Sequence, residues 1–183
     1  MLYLASASPR RKELLQEIVP VFQIEAPTIN ERFIDPFLTP ERLSYEEARL
    51  KAYAVFSAHP SSMVLAADTI VLLNEKVLGK PGDALHAKKM LQEESGKKQI
   101  VLTSYTFLKP GVEISRTVKS VVYFRPLTEE MIDCYIATYH PFDKAGAYGI
   151  QDEAGLIERL EGSYHNVMGL PTEDLLCHVK PYL

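Results

Sequence analysis

Apolar and polar positions along the chain predict strands alternating with helices, followed by hairpins. "LYLAS" (2–6) reads as a short strand. Residues 9–18 read as a helix whose Leu14, Leu15 and Ile18 share one face, and Pro20 ends it. "VFQIEAP" (21–27) alternates as a second strand. A long helix covers 41–59, with Leu43, Ala48, Leu50, Ala54 and Val55 as its apolar positions. "SMVLAADTIVLLN" (62–74) is an apolar, β-branched run, a buried strand that continues past Asp68. A turn at Asn74–Glu75 leads into "KVLGKP" and predicts a hairpin. Residues 83–95 form a third helix with Gly96 just past its end. Residues 99–108 and 112–124 are strands separated by the turn signal "KPG". Thr128 caps a helix over 129–138, 140–155 is a glycine-rich loop, 156–162 a strand and 172–179 a final helix. With no repeat, linker or low-complexity tract, the expectation is one α/β domain over 1–183. Its sheet is mixed and bent, flanked by helices.

Composition narrows the function classes. A chain of 183 residues buries enough surface for a core without staples. The net charge of −4 disfavours a nucleic-acid polymer, which needs a broad basic face. An anionic ligand would have to meet a local cluster of cations. No apolar run reaches the roughly 18 residues of a membrane span, and no signal-peptide pattern opens the chain, so the cytoplasm is the expected compartment. Cys134 and Cys177 have neither paired nor zinc spacing and read as thiols in a reducing environment. The histidines show no ligand spacing, so no zinc site is expected.

Two local conflicts carry the candidate chemistry. In "LASASPRRKELL" (4–15), Ser8 suits an N-cap and Pro9 the first helical position. Arg10, Arg11 and Lys12 then crowd the end of the helix that already bears partial positive charge. An anion held there by free N–H groups, guanidinium groups and the hydroxyls of Ser6 and Ser8 would resolve the conflict; a solvated basic patch is the plainer alternative. No Walker pattern is present, and Ser6 and Ser8 lack the setting of a serine hydrolase. The second conflict is Asp68, an acid within an apolar strand, which is costly unless paired. A salt bridge or a divalent cation would each pair it. Ile70 stands where a haloacid-dehalogenase-type phosphatase needs a second Asp. Lys51, Lys80 and Glu31, taken singly, read as surface charges. Lys144 and Gln151 lie in the glycine-rich stretch, where backbone can approach a ligand closely.

Six segments, "LASASPRRKELL", "ARLKA", "AADTIV", "LGKPGD", "DKAGAYGIQ" and "GSYHNVMGLP", resemble the successive signature blocks of the Maf family, in that family's order from 4 to 171. The resemblance implies a mixed α/β fold with a deep cleft, distantly similar to inosine-triphosphate pyrophosphatases. It implies hydrolysis of the α–β phosphoanhydride of a nucleoside triphosphate with Mg²⁺ or Mn²⁺. Carried onto this chain, it gives Ser8, Arg10 and Arg11 to the phosphates, and Lys51 and Lys80 to neutralising triphosphate charge. Glu31 and Asp68 serve the metal, with Asp68 also the proton acceptor. Arg11, Thr69 and Gln151 are similar to the set of the subgroup acting on dTTP and UTP. A carboxamide at Gln151 can match part of the uracil edge. Two positions depart from many relatives: Ser104 follows Thr103 where they have Gly, with an altered turn expected, and His140 stands where they carry an acid. The implied partner is a small nucleotide, not a nucleic-acid polymer or a membrane; a homodimer is admitted without being required. The other reading is a nucleotide-binding regulator of septum formation with little turnover.

Overall fold

A computed structural model describes residues 1–29, 37–152 and 154–183. Most predicted elements form within a residue or two of their expected limits. They are β1 (Leu2–Ala5), α1 (Pro9–Gln16), β2 (Gln23–Ile24), α2 (Pro40–Ala58), β3 (Met63–Leu73), β4 (Lys76–Leu78) and α3 (Ala84–Glu94), then β5 (Lys98–Lys109), β6 (Val112–Phe124), α4 (Glu129–Tyr139), β7 (Ile157–Glu161), α5 (Tyr164–Met168) and α6 (Thr172–Val179). Side chains of Ser8, Thr39, Asp83 and Thr128 cap α1 to α4 in turn. Asn74 and Glu75 both take positive φ, the geometry of a tight two-residue hairpin turn between β3 and β4.

Three expectations shift. The strand expected over 21–27 shrinks to Gln23–Ile24, an edge strand that pairs with β1 between Pro20 and Pro27. The 140–155 stretch, expected to be mostly loop, carries single 3-10 turns at Pro141–Asp143, Ala145–Ala147 and Ile150–Asp152. The five-residue α5 is too short to give a periodic signal and was not expected.

The sheet is mixed, with strand order β2-β1-β3-β5-β6-β7 and β4 added to β3. β1 is parallel to β2 and β3; β4 and β7 run antiparallel to their partners. Packing divides the chain into two compact units. The first is Met1–Thr69, Leu102–Val118 and His165–Leu183; the second is Ile70–Val101 and Lys119–Tyr164.

In the first unit the sheet is buried on both faces. Leu2, Leu4, Leu65 and Ala67 pack with Leu14 and Leu15 of α1 and Leu175 and Val179 of α6. Ala5, Val64 and Ala66 pack on the other side with Ala52 and Val55 of α2. Double burial is why β3 reads as a continuous apolar run. In the second unit α3 and α4 bury Ala87, Met90, Leu91, Ile132 and Ile136, and Phe124 meets Tyr148 edge-on at 4.8 Å. No helix among the described residues is long and apolar enough to cross a membrane.

Candidate active site

Strand alternation places the central pair. Parallel register sets Leu4 against Leu65 and Ala5 against Ala66. Leu65 and Ala67 then face α1 and α6, while Val64 and Ala66 face α2. Two residues on, the same alternation sends Asp68 toward α2 and Thr69 toward α1. The contacts agree. Lys51 Nζ of α2 lies 2.5 Å from Asp68 Oδ1, and Arg11 Nη2 of α1 donates to Thr69 Oγ1 at 3.1 Å.

Asp68 is buried, 7% exposed, and the Lys51 ammonium pairs its charge. The Lys51–Asp68 salt bridge is one of the two pairings the sequence left open. Lys51 also lies 3.5 Å from Glu47 Oε2, one helical turn earlier. The reading of Lys51 as a surface charge is therefore corrected. The buried stripe of α2 is Ser44, Ala48, Ala52 and Val55, and Lys51 falls within it, three residues after Ala48 and four before Val55. Of the five apolar positions expected on α2, Ala48 and Val55 are buried, while Leu43, Leu50 and Ala54 are only half-buried.

Arg11 resolves its own conflict by leaving the helix start. Its Nε donates to the Gly169 carbonyl at 2.9 Å while Nη2 binds Thr69. Burial lowers the Arg11 pKa from its ordinary value; the charge of Asp68 opposes that and Arg10 adds to it. Gly169 takes φ of +115°, a conformation that favours glycine, and a Cβ there would touch Arg11 Nε and Thr69 Oγ1, each at 3.4 Å. Thr69 Oγ1 meets Thr103 Oγ1 at 3.0 Å, and Thr103 donates to the Asn166 carbonyl at 2.8 Å. Ser8 accepts the Arg11 backbone N–H at 3.4 Å, which uses a lone pair and not the hydroxyl proton. Ser6 in turn accepts the Ser8 N–H at 3.1 Å. Arg10 is half-buried and Lys12 exposed at the same helix start. The first unit thus gathers Ser8, Arg11, Lys51, Asp68 and Thr69, a set of cations, hydroxyls and one fixed carboxylate.

The second unit carries Lys80 and Gln151. Lys80 is exposed between Gly79 and the buried Pro81, and the Gly79 carbonyl accepts the Gly146 N–H at 3.1 Å. Gln151 is half-buried in its 3-10 turn, beside Asp152. Lys144 Nζ lies 3.5 Å from Asp152 Oδ2, and Tyr135 donates to the same oxygen at 2.6 Å. His140 caps α4 in the left-handed region, φ 44°, and is exposed. Glu31 lies outside the described residues. Ser104 sits inside β5, not at a turn. It is fully buried, with its hydroxyl 2.7 Å from Ser44 Oγ and 2.8 Å from Thr117 Oγ1. The altered turn expected of it is therefore corrected: a buried hydroxyl with two hydroxyl partners fits a central strand. Sequence reasoning missed Thr103, Gly169 and Tyr135 as contributors. "GSYHNVMGLP" pointed at Gly169 as a motif, whereas the other two signal nothing locally.

The family model described as "Maf-like protein" matches residues 1–181. A dTTP/UTP pyrophosphatase of Thermococcus gammatolerans is 45% identical over 174 residues, covering 94% of this chain and 92% of that one. A dTTP/UTP pyrophosphatase of Bacillus cytotoxicus is 41% identical over 180 residues, covering 98% and 94%. One from a Geobacillus strain is 45% identical over 180 residues, covering 98% and 96%.

Proposed function

The chain belongs to the Maf family, and from that membership we propose that it is a nucleoside triphosphate pyrophosphatase acting on dTTP and UTP. Water attacks the α-phosphorus, the α–β anhydride bond breaks, and the products are the nucleoside monophosphate and pyrophosphate. The observation that carries this reading is the buried Asp68 carboxylate, anchored through one oxygen by Lys51, with the Arg11–Thr69 pair one residue along the strand.

Asp68, together with Glu31 as the family resemblance implies, would hold Mg²⁺ or Mn²⁺, which hard carboxylate oxygens suit. Such an ion, when bound, neutralises phosphate charge and acidifies a water. The chain's own groups do the rest. Lys51 fixes the orientation of Asp68, and Asp68 receives the water's proton. Arg10, Arg11 and Lys80 stabilise the leaving pyrophosphate, and Ser8 has a hydroxyl proton to donate to a phosphate oxygen. Gln151 contacts the base. Positioning and charge neutralisation dominate such reactions, because the triphosphate brings its own leaving group.

The test is Asp68→Asn, assayed for pyrophosphate release from dTTP and UTP with Mg²⁺ and with Mn²⁺. Loss of one preorganised group costs roughly 10²–10³-fold in rate. A folded variant with near wild-type turnover overturns the assignment of Asp68. Orthophosphate as the product of the wild-type protein overturns the reaction.

A further inference from the structure

A carboxamide can read two pyrimidines. With Oε1 toward N3–H and Nε2 toward O4, Gln151 matches uracil or thymine; turned over about its last bond, it presents the complement, which matches cytosine. The two orientations have the same shape, so packing alone does not choose between them. Preference for uracil and thymine needs a neighbour that favours one orientation.

Asp152 is such a neighbour. A Cβ on Gly149 would stand 2.7 Å from Gln151 Nε2, 2.7 Å from Asp152 Oδ2 and 2.9 Å from Asp152 Oδ1. The amide nitrogen and the carboxylate oxygen Oδ2 therefore both lie beside the Gly149 α-carbon, no more than twice 2.7 Å apart. A carboxylate only accepts hydrogen bonds, so it attracts an NH₂ group and repels a carbonyl oxygen. Asp152 itself is clamped. Tyr135 donates to its Oδ2 at 2.6 Å, and the Gly149 N–H donates to the Tyr135 hydroxyl oxygen at 2.9 Å. The Asp152 N–H closes the turn on the Gly149 carbonyl at 3.1 Å, and Lys144 Nζ lies 3.5 Å from Oδ2. The Tyr135 ring is buried and stacks on Tyr139 at 5.1 Å. Burial, with the charge of Asp152, holds the Tyr135 hydroxyl above its ordinary pKa, so it stays a donor.

We propose that Asp152 is a positioning residue that fixes the amide orientation of Gln151 and so sets the preference for uracil and thymine over cytosine. This rests on the reading of Gln151 as the base contact, and the experiment separates the two. The measurement is kcat/KM of the full chain for UTP and for CTP with Mg²⁺. Asp152→Asn keeps the size and an acceptor for Tyr135, but it offers Gln151 both a donor and an acceptor. Its UTP-to-CTP ratio is expected to fall on the order of tenfold. Gly149→Ala pushes on the same two side-chain ends and is expected to lower the ratio as well. A purely structural role would move stability and leave the ratio alone. If both variants keep the wild-type ratio while Gln151→Ala loses it, the positioning role is overturned. If Gln151→Ala itself keeps the ratio, the base-contact reading falls instead.

Discussion

Thr103 has a single hydroxyl proton, and the Asn166 carbonyl takes it at 2.8 Å. Its contact with Thr69 at 3.0 Å must then run from the Thr69 hydroxyl to Thr103. Thr69 is left with a lone pair for Arg11 Nη2. Each proton of the row from Arg11 to Asn166 therefore has one direction, and the row fixes the guanidinium. Thr103→Val keeps the shape and removes the hydroxyl, leaving the Thr69 proton without its buried acceptor. The expected cost is about 1–3 kcal/mol, read from urea unfolding, with a raised KM as Arg11 loosens. Thr103→Ser should restore most of both. A valine variant as stable as wild type would show that the row contributes nothing. None of this was legible in the sequence. A threonine within a strand reads as ordinary β-propensity, and its partner lies 63 residues away.

At the scale of elements, the apolar pattern fixed the kind of nearly every helix and strand, and on α2 it includes the buried Ala48 and Val55. Leu43 and Leu50, the bulkiest aliphatic residues of α2, are nevertheless only half-buried. The helix lies against β1 and β3 at Ala52, with Ala48 also fully buried, because small side chains let backbone approach backbone. That approach brings Lys51 to Asp68. Ala52→Leu adds volume where none is open and should cost about 1–3 kcal/mol. It should also lower kcat beyond what the stability loss explains, by lifting Lys51 away from the carboxylate. Ala54→Leu, on the half-buried side, is the control and should do little to either. Equal kcat in the two folded variants would mean that the helix-to-strand distance does not set the Lys51–Asp68 contact.

For the whole molecule, the alternation of strands and helices announced the α/β class and the later hairpins, since local turn chemistry writes both into the chain. A buried acid of the second unit escaped notice because its burial is a tertiary fact. Glu94, near the end of a helix followed by Ser95 and Gly96, looks like a solvated charge. It is instead fully buried, as is Gln99 of β5, and a Cβ on Gly146 would sit 3.3 Å from Glu94 Oε1 and 3.4 Å from Gln99 Nε2. Burial raises the Glu94 pKa well above its ordinary value, Glu93 adds to the rise, and Gln99 opposes it. Tyr148, also buried, has its own pKa raised by burial and by Glu94. The folded protein therefore keeps the Glu94 proton at a pH where the unfolded chain, titrating near 4.3, has lost it. Stability is full below the unfolded value and declines as pH rises, until the folded group also ionises. Glu94→Gln has no proton to lose. Its stability relative to wild type should be near zero at pH 4 and grow with pH, by at most about 1.4 kcal/mol per pH unit. Taking the difference between the two proteins cancels every other titrating group. Urea midpoints compared from pH 4 to pH 8 provide the measurement, and a difference that does not change with pH would mean that Glu94 ionises like an exposed carboxyl.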